Sequence, residues 1–164
     1  MPELLLSIDV GTTTARAAMF TPGGVMKALA SAPLTSHAPR QGWVEQDAAL
    51  VWRTTRKVIA SALARAGRAP GDLAAVGVTT QRTSIVVWDR QTGAPLSPLV
   101  IWSDLRGADR AGDLLSAGYF IAPQQAAAKL EAVLAGVDET RRRLDWGKID
   151  SFPIWNLGGG VVPA

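Results

Sequence analysis

The chain has 164 residues, 48% hydrophobic and 19% charged, with a formal net charge of +3 and a mean hydropathy of +0.13. That balance fits a folded globular domain, or one piece of a larger one, and excludes a disordered chain. There is no cysteine, so disulfides and thiolate metal sites are excluded.

In chain order, Leu4, Leu5, Leu6 and Ile8 form a short apolar run that predicts a strand buried on both faces. Glu3 and Asp9 bracket it, and it is too short for a signal peptide. Residues Gly11-Thr12-Thr13-Thr14 predict a turn, and Ala15 to Phe20 a second strand. Gly11 lets the backbone approach a ligand closely. The threonine hydroxyls, with the turn's N–H groups, suit anionic oxygens. Asp9 is a hard oxygen ligand where Mg²⁺ or its water shell would sit, and Arg16 adds a cation. A metal, a phosphate cradle and a basic residue are the parts of phosphoryl transfer. The same residues also suit an ordinary hairpin turn. The stretch is neither a Walker A loop nor a dinucleotide fingerprint, lacking the Lys of one and the later glycines of the other.

Pro22-Gly23-Gly24 predicts a tight hairpin into a strand over Val25 to Ala30, so the opening reads as three antiparallel strands. Ser31 to Gln41 reads as a polar loop, with His37 facing solvent. Asp47 predicts an N-cap. Leu50, Val51, Val58, Ile59, Ala62 and Leu63 give the helix after it an inner face, and Gly67 a C-cap. A strand within Asp72 to Thr80 follows, implying a crossover and some parallel pairing.

Thr80 to Ser84 is a polar break before the apolar run Ile85 to Trp88, and Asp89 to Gly93 reads as a turn. Leu96 to Trp102 is apolar. Ser103 to Arg106 reads as the start of a helix with Ala108, Ala111, Leu114 and Leu115 inside. Gln124 to Leu134 and Asp138 to Leu144 read as further helices, and Lys148 to Asp150 as extended. Asp150 predicts a cap for a helix with Pro153 in its first turn and Ile154, Trp155 and Leu157 inward. Trp52, Trp88 and Trp155 read as core. Residues 159–164 show no pattern. Lys129 and Glu131 interrupt the apolar stretch Ala126 to Val137, so no membrane partner is expected and a cytoplasmic location is. The isoelectric point near 9.8 raises nucleic acid as a partner. The basic residues are scattered, however, and the run Arg141-Arg142-Arg143 reads as a solvated helix face.

Six stretches, in order and at matching spacing, resemble the N-terminal part of FGGY carbohydrate kinases, the group containing glycerol kinase and xylulokinase. They are Asp9 to Arg16, Gly42 to Asp47, Gly77 to Arg82, Val87 to Gly93, Ile101 to Arg106 and Ile149 to Leu157. The resemblance covers essentially residues 1–158. It implies an incomplete α/β lobe of the ribonuclease-H-like type found in actin and hexokinase, a mixed sheet with flanking helices. It implies ATP and Mg²⁺ as cofactors and a sugar or polyol as substrate. By resemblance, Gly11, Thr12, Thr13, Thr14 and Arg16 form the γ-phosphate loop and Asp9 helps hold Mg²⁺. Gln81, Arg82 and Thr83 contact the sugar, and Trp102 lines its pocket. Surface ion pairing for Arg82, a core role for Trp102 and a helix-start pair of Asp104 with Arg106 stand as alternatives.

Two departures concern substrate. Glycerol kinases carry Glu where this chain has Thr83, and their pocket tyrosine falls near Gln124, which points to a sugar or polyol other than glycerol. A third concerns length. The resemblance puts the family's general base and second lobe beyond residue 164, so the isolated chain is expected to turn over little or nothing. The rival expectations are a binding or assembly module, self-associating or completed by a separate chain, and a decayed gene fragment. An RNase-H-like nuclease ranks last, because no second carboxylate stands at a comparable strand end.

Overall fold

A computed structural model describes residues 3–137 and 143–160. The chain divides into two compact units. One is drawn from the residues up to Thr35 with Leu50–Thr80, the other from Ser36–Ala49 with the chain from Gln81 onward.

In the first unit, β1 (Leu4–Val10), β2 (Thr14–Phe20), β3 (Met26–Pro33) and β5 (Leu73–Thr80) form one sheet in the order β3-β2-β1-β5. The first three strands are antiparallel neighbours, as expected, and β5 runs parallel to β1. The crossover runs through α1 (Ala48–Ala66), whose Arg65 guanidinium donates to the Leu29 carbonyl. β1 is buried on one face only: Leu4, Leu6, Ile8 and Val10 point into the core, while Leu5 and Ser7 are exposed. Alternation therefore replaces the two-sided burial expected of it, because helix cover lies on one face. On α1 the buried positions are Ala48, Val51, Thr55, Val58, Ala62 and Leu63, so Val51, Val58, Ala62 and Leu63 face inward as expected. Leu50, expected inside, is 40% exposed. The Thr55 hydroxyl enters the core by donating to the Val51 carbonyl. Gly67 ends the helix as anticipated, its amide reaching Ala64 and the next amide Leu63.

In the second unit, β4 (Glu45–Gln46), β6 (Ile85–Asp89), β7 (Leu99–Val100) and β8 (Leu144–Lys148) form an antiparallel sheet ordered β4-β7-β6-β8. Ile85, Val87 and Val100 pack with Val133 and Val137, at and beyond the end of α3 (Ala126–Leu134). The helix expected to open at Ser103 begins instead at Ala108 (α2, Ala108–Ser116), and only Ala111 on it is fully buried. Of the helix expected over Asp138 to Leu144, residues 138–142 lie outside the described residues, and Leu144 opens β8. Arg143, expected on a helix face, instead accepts the Arg90 amide at its carbonyl and donates to Gln91 Oε1. Arg141 and Arg142 lie outside the described residues, as do Val161 to Ala164.

Asp150 caps α4 (Ser151–Leu157) through the Ser151 amide, as its sequence predicts. That helix turns Phe152, Pro153 and Trp155 inward, whereas Ile154 and Leu157 are exposed. Trp88 packs between the rings of Phe152 and Trp155, with centroids 5.5 and 6.4 Å away. The turn at Asp89 to Gly93 is built as expected, with Asp89 Oδ1 accepting from the amides of Gln91 and Thr92. Gly93 holds a φ of +71°, and a Cβ there would sit 2.3 Å from the Trp155 ring.

Candidate functional site

The residues singled out in the sequence fall into two sets, one in each unit. In the first unit, the sharp turn between β1 and β2 closes when the Gly11 amide donates to the Thr14 carbonyl at 3.0 Å. A Cβ on Gly11 would lie 3.1 Å from that carbonyl, so glycine serves the closure of the turn itself. Thr14 already belongs to β2. The Thr13 carbonyl accepts the Leu34 amide, anchoring the turn to the end of β3. Thr13 is exposed, and Gly11, Thr12 and Thr14 are half-buried.

Asp9 and Arg16 are register partners across β1 and β2, on the face opposite the core, and Arg16 Nη1 donates to Asp9 Oδ2 at 3.0 Å. Both side chains stay substantially open to solvent. Thr79 of β5 stands beside Asp9, and Ser31 of β3 beside Arg16. The sequence named neither. Among the described residues no cluster of three or more His, Asp or Glu could cage a metal. One open carboxylate beside a hydroxyl-rich turn suits Mg²⁺, which takes one or two carboxylates and completes its shell with phosphate and water.

In the second unit, Gln81 is buried and donates to Gln46 Oε1 at 2.8 Å; Gln46 in turn reaches Ser36 Oγ. Arg82 is exposed. Thr83 has a φ of +58°, the one positive φ outside glycine among the described residues. Trp102 is 49% exposed, so the core role does not apply to it.

The Asp104–Arg106 pair, weighed as a helix start, is a buried network. Arg106 Nε and Nη2 grip the two carboxylate oxygens of Asp104 at 2.8 Å each, and Nη2 also reaches Glu45 Oε1 at 2.7 Å. The guanidinium lies 3.9 Å over the Trp43 ring. Asp104 Oδ2 accepts the Val44 amide. Burial pushes the Asp104 carboxyl up, but the Arg106 hydrogen bonds, with the Arg106 and Val44 amides, outweigh it and hold it below its ordinary value. Burial alone would lower Arg106, but its two carboxylate partners raise it. Thus two of the six stretches, Gly42 to Asp47 and Ile101 to Arg106, meet in one ion-pair cluster.

Lys129 of α3 is the residue sequence reading missed. Its side chain is fully buried, and its ammonium donates to the carbonyls of Thr83 at 3.0 Å and Ile101 at 2.8 Å. Burial pushes the amine down to about 8, reinforced by Arg106 and opposed by the Asp104 charge. A signal existed: Lys129 is four residues before buried Val133, on the buried face of α3, whereas Glu131 points to solvent.

Residues 4–157 match the FGGY family of carbohydrate kinases, N-terminal domain. The chain is 39% identical to a glycerol kinase of Geobacter sp. (strain M21), covering 96% of this chain and 35% of that protein. It is 37% identical to glycerol kinase 1 of Pseudomonas aeruginosa, covering 98% and 35%. The chain thus spans about a third of the length of these relatives. The fold is similar to Plasmodium falciparum glycerol kinase with ADP, at a TM-score of 0.82 and 20% identity, covering 96% of this chain and 34% of that one. It is also similar to the xylulose kinase of Rhodospirillum rubrum, at 0.75 and 24%, covering 93% and 33%. These likenesses place the fold as a partial α/β lobe of the actin and hexokinase type. With the family match running from β1 to the end of α4, the chain belongs to the FGGY family of carbohydrate kinases.

Proposed function

We propose that residues 1–158 are the part of a sugar or polyol kinase that receives the terminal phosphate of ATP and contacts the acceptor. The observation that carries this is the hydroxyl-rich Gly11–Thr14 turn with the Asp9–Arg16 pair beside it, open to solvent on the sheet face away from the core. Bound Mg²⁺·ATP would supply the phosphoryl group and neutralise its developing charge. Asp9 would hold the metal or its water shell, which frees Arg16 to turn to the phosphate oxygens. The Thr12, Thr13 and Thr14 hydroxyls would complete the cradle. Gln81, Arg82, Thr83 and Trp102 would meet the sugar, Arg82 through an exposed guanidinium and Trp102 through a half-exposed ring. Thr83 supplies no carboxylate for adjacent hydroxyls, which favours an acceptor other than glycerol. A cytoplasmic location goes with this reading.

No residue described here is assigned the role of general base, and transfer also needs closure around the substrates. The 164-residue chain is therefore expected to lack turnover. A coupled ADP-release assay over glycerol, xylulose and gluconate checks this. Release indistinguishable from D9N is expected, and sugar-dependent release above D9N overturns the inactivity.

A second reading, a module that associates with a second copy, draws on β5. It is the edge of its sheet, and Ala74 to Gly77 on it are exposed.

A further inference from the structure

Lys129 joins two segments that are distant in sequence. One hydrogen bond fixes the carbonyl of Thr83, directly after Gln81 and Arg82; the other fixes the carbonyl of Ile101, directly before Trp102. The Ile101 carbonyl also accepts the Asp104 amide, so the ammonium sits on the turn that presents Trp102. Thr83 is the feature that needs holding. A β-branched side chain at φ +58° is strained and persists only where its surroundings over-determine it. A buried ammonium is itself costly, and an apolar side chain would fill α3's inner face without that penalty. A cation placed there at such cost, with both resolved hydrogen bonds on backbone of the two candidate sugar segments, has the geometry of a clamp.

We infer that Lys129 is a positioning residue: it locks Thr83 in the left-handed conformation and ties it to the Trp102 turn, giving Gln81–Thr83 and Trp102 one fixed arrangement toward the acceptor. The inference rests on the proposed sugar site for its ligand, not for its geometry. Lys129 itself touches no acceptor.

The test is K129M, which keeps length and removes the donor, compared with the unaltered chain by backbone NMR. Thr83 ¹³Cα and ¹³Cβ shifts report the sign of φ. The expected result is that they leave left-handed values in K129M and the Trp102 indole resonance moves, while β6 and the flanking turns of α3 keep their shifts. A role in stability alone would lower the melting temperature and leave Thr83 left-handed, which overturns the inference. Should K129M fail to fold, the unaltered chain decides. Its Lys129 ¹⁵Nζ should show through-hydrogen-bond coupling to the carbonyl carbons of Thr83 and Ile101, and absence of that coupling overturns the clamp. Glycerol, xylulose and gluconate serve as probes of binding. Any that the unaltered chain binds should bind K129M at least about tenfold more weakly, a loss of about 1.4 kcal/mol, and equal binding contradicts positioning. If none binds the unaltered chain, the sugar-site reading fails, and the Thr83 shifts still judge Lys129.

Discussion

Replacing Arg106 by methionine is the sharpest test of the buried ion cluster. The substitution keeps most of the aliphatic stem but strips the cation from Asp104, whose side chain is wholly buried, and from Glu45, which is 12% exposed. Breaking a buried pair by removing one partner costs about 3–5 kcal/mol, since a desolvated charge is left behind. Loss of the stack on Trp43 adds about 0.5–2 kcal/mol. Lys129 nearby offsets part of this through its charge. The net expectation is a loss of about 3–5 kcal/mol, against a total stability of roughly 5–15 kcal/mol for a typical domain. At about 2–4 °C per kcal/mol for a chain of this size, the melting temperature should fall by roughly 10 °C. Urea titration followed by tryptophan fluorescence measures it, because five of the six tryptophans lie in the second unit. R106K, which keeps charge but not the fork, should fall between the two. D104N combined with R106M should cost less than the single changes summed, because the orphaned charge is gone. An R106M loss under about 1 kcal/mol would refute the reasoning, since that is the worth of an exposed pair.

Stability should also rise with pH above 8. The Lys129 amine is near 8 when folded and 10.5 as a free side chain, so between those values the unfolded chain holds the extra proton. The rise should approach about 3 kcal/mol by pH 10.5, and K129M should flatten it; an equal rise in K129M would assign the effect elsewhere. G93A should cost about 3 kcal/mol or more, from a positive φ and a Cβ driven into the Trp155 ring. G71A, with open space around it, should stay within about 0.5 kcal/mol in the same denaturation series. V76K, on the exposed edge strand, should weaken any concentration-dependent association seen by sedimentation velocity. An unaltered chain that stays monomeric at every concentration removes the association reading.

What the sequence made legible follows from how local each cause is. The hairpin pairings of β1, β2 and β3, helix α1 and the Asp150 cap rest on neighbouring residues and appear as expected, except that β3 runs on through Pro33 into the stretch read as the start of a loop. The phase of α1 was legible, since Val51, Val58, Ala62 and Leu63 are buried, but its edge was not: small Ala48 and hydrogen-bonded Thr55 share the inner face while Leu50 is exposed. The second sheet was invisible, since β4 and β7 are two residues each and owe their existence to pairing. Asp104 and Arg106 looked like a helix start because their third partner, Glu45, is 61 positions away from Arg106. The presence of Asp9, Gly11, the threonines and Arg16 was readable, but their register was not: the pairing of Asp9 with Arg16 and the places of Thr79 and Ser31 come from the strand alignment. Lys129 was read as a mere interruption of an apolar stretch because charge alone suggested solvent, whereas helical spacing put it inside.

If the β1–β2 turn is the landing place for a nucleotide's phosphates with magnesium, backbone NMR during titration with Mg²⁺ and ATP should show it. Amides from Asp9 to Arg16 should shift together, Mg²⁺ with inorganic tripolyphosphate should reproduce the pattern, and D9N should abolish the dependence on Mg²⁺. Shifts that bypass this turn and gather instead at the basic surface of Lys27, Arg65 and Arg68 would contradict it.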